Sequence, residues 1–368
     1  MARSIRFLIT IAAIGAVLVV VSGAALLMIS NGRPVDFVQT ALIRLALSGR
    51  TDDLAIRIST DTTPIRFEVA SGEFPRQIAN RLLEATLIID ADLFVDYVRA
   101  NRLDTELEAG VFFLNRAMTL PEVALALTDS RSSQFPFRIL EGWRMEEIAV
   151  VIDSNPYFGF TGADFLTLVG RNAEIPPDFA SLVRPPPGAS LEGFLFPNTY
   201  QLPAQVTPVI LRDTLLEAFE AGLTPEIVAG AAEQGLTLYE AVTLASIIQR
   251  EAVHPDEHRM ISSVYRNRLR DGMKLDADPT VQYAIGLVNG RWWSQITQAD
   301  YSRVISPYNT YLNTGLPPGP IASPGSSAIY AAIFPESSPY YYFRARCDGS
   351  GYHNFARTFQ EHLANGCP

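Results

Sequence analysis

Residues 7–29, FLITIAAIGAVLVVVSGAALLMI, form an uninterrupted run of 23 residues without a charge. As a helix, such a run extends about 35 Å at 1.5 Å per residue, enough to cross a ~30 Å hydrocarbon core. Arg3 and Arg6 precede it, so the positive-inside bias leaves the start in the cytoplasm and sends the rest outside. The small residues Ser22, Gly23, Ala24 and Ala25 raise a rival reading, a cleavable signal peptide. Against it, the apolar run continues through Leu26, Leu27, Met28 and Ile29, beyond the usual length of a signal h-region. No later segment approaches about 18 consecutive apolar residues. The expectation is an N-terminal single transmembrane helix, residues 1–30, that anchors a single-pass protein in the inner (cytoplasmic) membrane with the remainder extracytoplasmic.

The chain has 368 residues, a length that accommodates two domains. Its formal charge of −10 and the absence of any basic run argue against nucleic acid as a partner. Only two cysteines occur, Cys347 and Cys367. Outside the cytoplasm they are free to oxidise, and a bridge between them is one reading; two free thiols is the other.

Residues 31–62 read as a linker with one helix, VDFVQTALIRLAL. An internal echo follows. Phe67-Glu-Val-Ala-Ser-Gly72 with Ile78 and Ala79 matches Phe137-Arg-Ile-Leu-Glu-Gly142 with Ile148 and Ala149, at an offset of 70 throughout. Each copy reads as a short strand, a glycine turn and an apolar-periodic helix, which implies two related β–turn–α units. Residues 63–130 form a small α+β module, and residues 131–368 form a larger mixed α/β domain. In the latter we expect helices at 207–221, 225–234, 237–252, 255–270 and 326–333, then an aromatic strand, Tyr340-Tyr-Tyr-Phe343.

The stretch ASIIQREAVHPDEH, residues 245–258, supports two incompatible chemistries. In the first, Leu244, Ile247 and Ile248 share a helix face with Glu251. Burial and the negative end of the helix dipole then favour its protonated form, which is what a general acid requires. The bland alternative is a partly exposed glutamate that marks the helix end or pairs with Arg250 or Arg259. In the second, His254-Pro-Asp-Glu-His258 fits the H-x-x-E-H pattern of a zinc hydrolase. That pattern needs both histidines on one continuous helix, and Pro255 suits a helix start, which leaves His254 outside. No G-x-S-x-G, S-x-x-K, phosphate loop or dinucleotide fingerprint occurs.

Six ordered stretches resemble the YceG-like endolytic murein transglycosylase family. They are LEGFLFPNTY (191–200), ASIIQRE (245–251), SVYRNRL (263–269), LDADPT (275–280), SPYNTY (306–311) and GLPPGPI (315–321), with the aromatic strand before His353-Asn-Phe355 closing the set. The resemblance covers nearly the whole chain and implies a LysM-like character for residues 63–130. It implies a membrane-anchored lytic transglycosylase, acting on peptidoglycan glycan strands. Such an enzyme cleaves the bond between N-acetylmuramic acid and N-acetylglucosamine without water, leaving a 1,6-anhydro end. The catalytic glutamate of the family falls on Glu251. Glu192, Asn267, Asp278, Thr280, Tyr308 and Asn309 lie in the matching motifs as candidate substrate-binding residues, each with a structural alternative as a turn or cap. Asn198 departs from the aspartate usual in the family. Trp292, Trp293 and Tyr340 to Tyr342 are aromatics that either stack on sugars or pack internally. Penicillin-binding proteins are implied partners, and neither cofactor nor metal is expected. Two other functions stand beside this one: a non-catalytic anchored glycan-binding scaffold, and a zinc hydrolase using His254 and His258.

Overall fold

A computed structural model describes residues 34–131 and 133–367. The expected membrane span lies outside them. Among the described residues, no helix is long and apolar enough to cross a membrane. The fold is α+β, and the chain divides into two compact units between Gln134 and Phe135.

The first unit begins with helices α1 (Pro34–Ser48) and α2 (Thr51–Ala55). Strand β1 (Ile65–Val69), helices α3 (Pro75–Glu84) and α4 (Ala91–Ala100), strand β2 (Gly110–Leu114) and helix α5 (Leu120–Ala126) follow. β1 and β2 pair antiparallel, with Phe67 opposite Phe112. Alternation along β1 sends Phe67 and Val69 inward, where Ile78 and Leu82 of α3 and Phe94 and Val98 of α4 complete the core. The helix starts are fixed locally. Asp90 accepts from the backbone N–H of Asp92 and Leu93, and Thr119 forms a capping box with Glu122. Arg44 of α1 donates from Nε and Nη2 to the carbonyl of Ala100, tying α1 to the end of α4.

The echo in the sequence is an echo in structure. Strand β3 (Gln134–Arg138) is followed by helix α6 (Met145–Ser154), as β1 is by α3. Gly72 and Gly142 turn the chain at φ 79° and 78°, in the left-handed region that glycine enters without a Cβ penalty. The backbone N–H of Phe74 donates to Gln77 Oε1 and that of Arg144 to Glu147 Oε2, so each helix start is satisfied by the same reach-back at the same offset. Ile78, Ala79, Ile148 and Ala149 are all buried.

The second unit continues with α7 (Gly162–Val169), α8 (Pro177–Val183) and β4 (Thr199–Pro203), which pairs with β3. Helices α9 (Pro208–Gly222), α10 (Pro225–Glu233) and α11 (Leu238–Glu251) come next. The expected helix at 255–270 divides into a 3-10 turn (Pro255–Glu257) and α12 (His258–Arg270). Then come α13 (Asp278–Ile285), α14 (Asp300–Arg303), α15 (Ser326–Ile333), the antiparallel pair β5 (Tyr342–Ala345) and β6 (His353–Ala356), and α16 (Phe359–Ala364).

Helix α11 is buried more fully than a one-faced amphipathic reading implies, with every residue from Ala241 to Ile248 inside. Its polar members bond within the helix: Thr243 Oγ1 donates to the Tyr239 carbonyl and Ser246 Oγ to that of Thr243. Gly193 packs against it at φ 86°, and a Cβ there would fall 2.4 Å from Pro320 and 3.1 Å from Val242. The aromatic strand starts two residues later than expected from the sequence. Pro339 has no N–H, and the carbonyls of Tyr340 and Tyr341 are taken by Asn267 and Arg268 of α12 rather than by a ladder.

Cys347 and Cys367 are joined, with Cα atoms 5.4 Å apart, and the bridge encloses β6 and α16. Closing a loop of this length is worth about 3 kcal/mol in the chain-entropy model. Replacing both cysteines by serine is therefore expected to lower the thermal midpoint of a unit this size by roughly 6–12 °C. Circular dichroism melts of the two proteins check this, and an unchanged midpoint would show that the bridge constrains nothing.

Candidate active site

Helix α11 starts at a capping box between Thr237 and Glu240 and ends at Glu251, where Ala252 turns extended ahead of Pro255. Glu251 therefore projects from the last turn of the most buried helix in the unit. Its side chain is sunk among neighbouring atoms, with one part open to a cavity of about 520 Å³. Tyr265 of α12, itself wholly buried, donates its hydroxyl proton to Glu251 Oε1 at 2.6 Å. Burial raises the Glu251 carboxyl from the ordinary carboxylate range to about 7, and the charge of Asp278 adds to the rise. The Tyr265 hydrogen bond and the guanidinium groups of Arg268 and Arg250 oppose it without cancelling it.

The rest of the cavity wall is aromatic and charged. Asp278, at the start of α13, accepts from the Tyr311 hydroxyl at 2.6 Å, and Tyr311 stacks on Tyr301 with ring centroids 3.9 Å apart. Tyr342 of β5 lies beneath the Arg268 guanidinium, 5.0 Å from its ring centroid. Arg268 is held in turn by Asp276 and by the carbonyls of Leu275 and Tyr341. Sugar rings present apolar C–H faces and hydroxyl edges, and a wall of tyrosines beside carboxylates offers partners to both.

Of the residues singled out in the sequence, Glu251 and Asp278 share this cavity. Three others stand behind its wall with their polar atoms engaged. Asn267 donates both amide hydrogens, to the carbonyls of Ser338 and Tyr340, and accepts from Arg270. Thr280 is fully buried, donating to the Ala277 carbonyl and hydrogen-bonded to Thr310. Asn309 donates to the carbonyls of Tyr301 and Val304 and accepts from the Tyr311 backbone, so it fixes both members of the stacked tyrosine pair.

Glu192 and Tyr308 belong to a different cluster. Glu192 is buried against the start of α6, accepts from the Met145 N–H at 3.2 Å, and is pushed up to about 8 by burial and by Glu146. Tyr308 leans on Tyr283, whose other neighbour is the Arg144 guanidinium, 4.0 Å from its ring centroid. The tryptophans are occupied by arginines: Arg144 lies 4.7 Å from Trp292, and Arg250 lies 3.9 Å from Trp293, whose Nε1 donates to Glu147. Asn198 is exposed and accepts from the N–H of Thr199 at the start of β4, a turn role that needs no negative charge.

The two histidines of the H-x-x-E-H pattern do not share a helix face. His254 sits at the cap of the 3-10 turn, stacked 4.0 Å from Tyr352, with Nε2 bonded to the Ser350 carbonyl. His258 begins α12 and bonds Ser327 through Nδ1. Sequence reasoning missed Tyr265, Tyr301 and Tyr311. Tyr265 lies inside the SVYRNRL stretch on the same α12 face as Ile261 and Arg268, and that spacing was the available signal.

The chain is similar to known proteins over most of its length. The sequence model of the YceG-like family matches residues 67–366. The endolytic murein transglycosylase of Bacillus subtilis (strain 168) is 30% identical over 314 residues, covering 82% of this chain and 83% of that protein. The endolytic murein transglycosylase of Streptococcus pneumoniae serotype 2 (strain D39 / NCTC 7466) is 28% identical over 316 residues, covering 81% of this chain and 57% of that longer protein. A crystal structure of a yceG-like protein from Listeria monocytogenes superimposes with a TM-score of 0.53 at 30% identity, covering 83% of this chain and 99% of that one. With a family match over most of its length and a relative of this identity and coverage, the chain belongs to the YceG-like family.

Proposed function

We propose that the protein is an endolytic murein lytic transglycosylase, with Glu251 as its acid and base. The observation that carries this reading is a carboxyl group raised to about 7 by burial, yet opening on a cavity of tyrosines and carboxylates large enough for sugar rings. At neutral pH a substantial fraction of Glu251 holds its proton and can give it to a glycosidic oxygen. The C6 hydroxyl of the muramic acid ring then attacks its own C1, and the carboxylate takes the hydroxyl proton. One residue suffices because the nucleophile is intramolecular, whereas ordinary glycosidases need a second carboxylate to activate water or to attack. Asp278 supplies negative charge to the same cavity and so favours positive charge at the anomeric carbon.

Tyr265 decides which oxygen does the work. Its hydroxyl is donated to Oε1, so the transferable proton belongs on Oε2. This hydrogen bond strengthens as the carboxylate forms, which stabilises the group once the proton has left.

The order of strand, two helices and strand in the first unit supports a LysM-like glycan-binding module, and the apolar run at residues 7–29 supports an extracytoplasmic enzyme anchored in the membrane. Anchored there, the protein would end nascent strands beside penicillin-binding proteins.

Two measurements test the mechanism. Glu251→Gln in the full chain should cut release of anhydro-muropeptides from sacculi by roughly 10²–10⁴-fold, the usual contribution of general acid–base catalysis, with strand binding retained. Undiminished release would remove Glu251 from the mechanism, and strand binding by a wild-type protein that never cuts would establish the scaffold function instead. For Tyr265→Phe, the sign follows from the hydrogen bond. The bond favours the ionised form, so its loss raises the Glu251 pKa. Activity requires a protonated Glu251 and falls as pH rises through about 7. In the variant this alkaline limb should move upward by about one unit or more, given about 1.5–3 kcal/mol for a hydrogen bond to a charged group. The rate should fall at the same time. A lowered rate with an unmoved limb would show that Tyr265 only packs.

A further inference from the structure

The glutamate of the H-P-D-E-H stretch does have a histidine, but it lies 96 positions away. Glu257 Oε2 meets His353 Nδ1 at 2.8 Å, while Oε1 accepts the backbone N–H of His353 at 2.9 Å. Both side chains are only 9% exposed, so this is a fixed pair and not a surface contact. Phe343 packs against the imidazole at 5.3 Å between centroids with planes at 89°. A carboxylate oxygen accepts, so Nδ1 carries the hydrogen and Nε2 of the neutral ring is left as an acceptor.

The direction of that acceptor matters. His353 is on the wall of the Glu251 cavity, and Glu257 is not. Nδ1 is held by Glu257, which does not line the cavity, and no described residue hydrogen-bonds Nε2. A buried glutamate that spends both oxygens on one histidine, and thereby fixes its tautomer, is more than a strand fastening requires. A bond to the backbone N–H alone would hold β6.

We propose that His353 is a substrate-contacting residue, clamped by Glu257 so that Nε2 accepts a hydrogen bond from a hydroxyl of the hexosamine ring bound beside Glu251. This rests on the reading of the cavity as the glycan site. Glu257 is the positioning residue of the pair, and it acts through His353.

The test uses strand binding by the full chain carrying Glu251→Gln, so that recognition is measured without cleavage. His353→Asn keeps a donor where Nδ1 stands and removes the acceptor at Nε2. His353→Gln keeps an acceptor near Nε2 and loses the Nδ1 donor. The Asn variant should melt near the parent temperature and bind purified glycan strands roughly 10- to 100-fold more weakly, as befits a hydroxyl left unpaired on binding. The Gln variant should be less stable but bind more tightly than the Asn variant. Parent-like binding by the Asn variant, or losses in both variants that merely follow their melting temperatures, would overturn the proposal and leave a structural fastening. The proposed function fails by a separate result, full cleavage by the protein bearing Glu251→Gln alone.

Discussion

The site depends on a contest over one carboxyl group. Desolvation at the end of α11 drives Glu251 toward its neutral form, while the Tyr265 hydroxyl and two arginines draw it toward the charged one. Desolvation wins, but by a margin that leaves the group near 7 rather than permanently protonated. In the proposed mechanism the group first gives a proton and then takes one back, which needs that balance, because a much stronger acid would not hold the proton and a much weaker one would not release it.

That balance requires a rigid setting, which comes from hydrogen bonds made by buried polar side chains to backbone groups. Asn309 holds the two stacked tyrosines, Asn267 holds the approach to β5, and Arg268 ties the Lys274–Leu275 segment to Tyr341 through their carbonyls. In a low-dielectric interior, each of these groups costs free energy unless it is satisfied, and satisfying it fixes the loop it bonds. The disulfide between Cys347 and Cys367 adds a covalent limit around the segment that carries His353, Phe359 and His362 to the cavity.

Much of the architecture was legible in the sequence because it is encoded locally. The offset-70 echo became two matching strand–turn–helix units, since a glycine in the left-handed region and a reach-back Gln or Glu are short-range devices. The helix at 326–333 and those starting near 208, 225 and 238 followed from periodicity and from Thr or Pro at their starts. The raised carboxyl of Glu251 was legible from its position on an apolar face. The roles of the other motif residues were not, because a buried asparagine that bonds carbonyls 71 and 73 residues away and one that faces a sugar leave the same mark in a sequence. The aromatic strand began late for the same reason: the carbonyls of Tyr340 and Tyr341 are bonded by α12, and no local pattern records that.

The H-P-D-E-H stretch illustrates the difference between spacing and geometry. Spacing alone offers two histidines and a glutamate at metal-ligand intervals. Pro255 breaks the helix between them, so the three side chains diverge: His254 to Tyr352, His258 to Ser327, and Glu257 to His353. The break that dissolves the apparent metal motif also sets Glu257 one short turn beyond the end of α11, where it reaches the strand that lines the Glu251 cavity. A single proline thereby separates the helix that carries Glu251 from the turn that carries Glu257, so the cavity glutamate and the carboxylate that holds His353 lie about six residues apart in the chain.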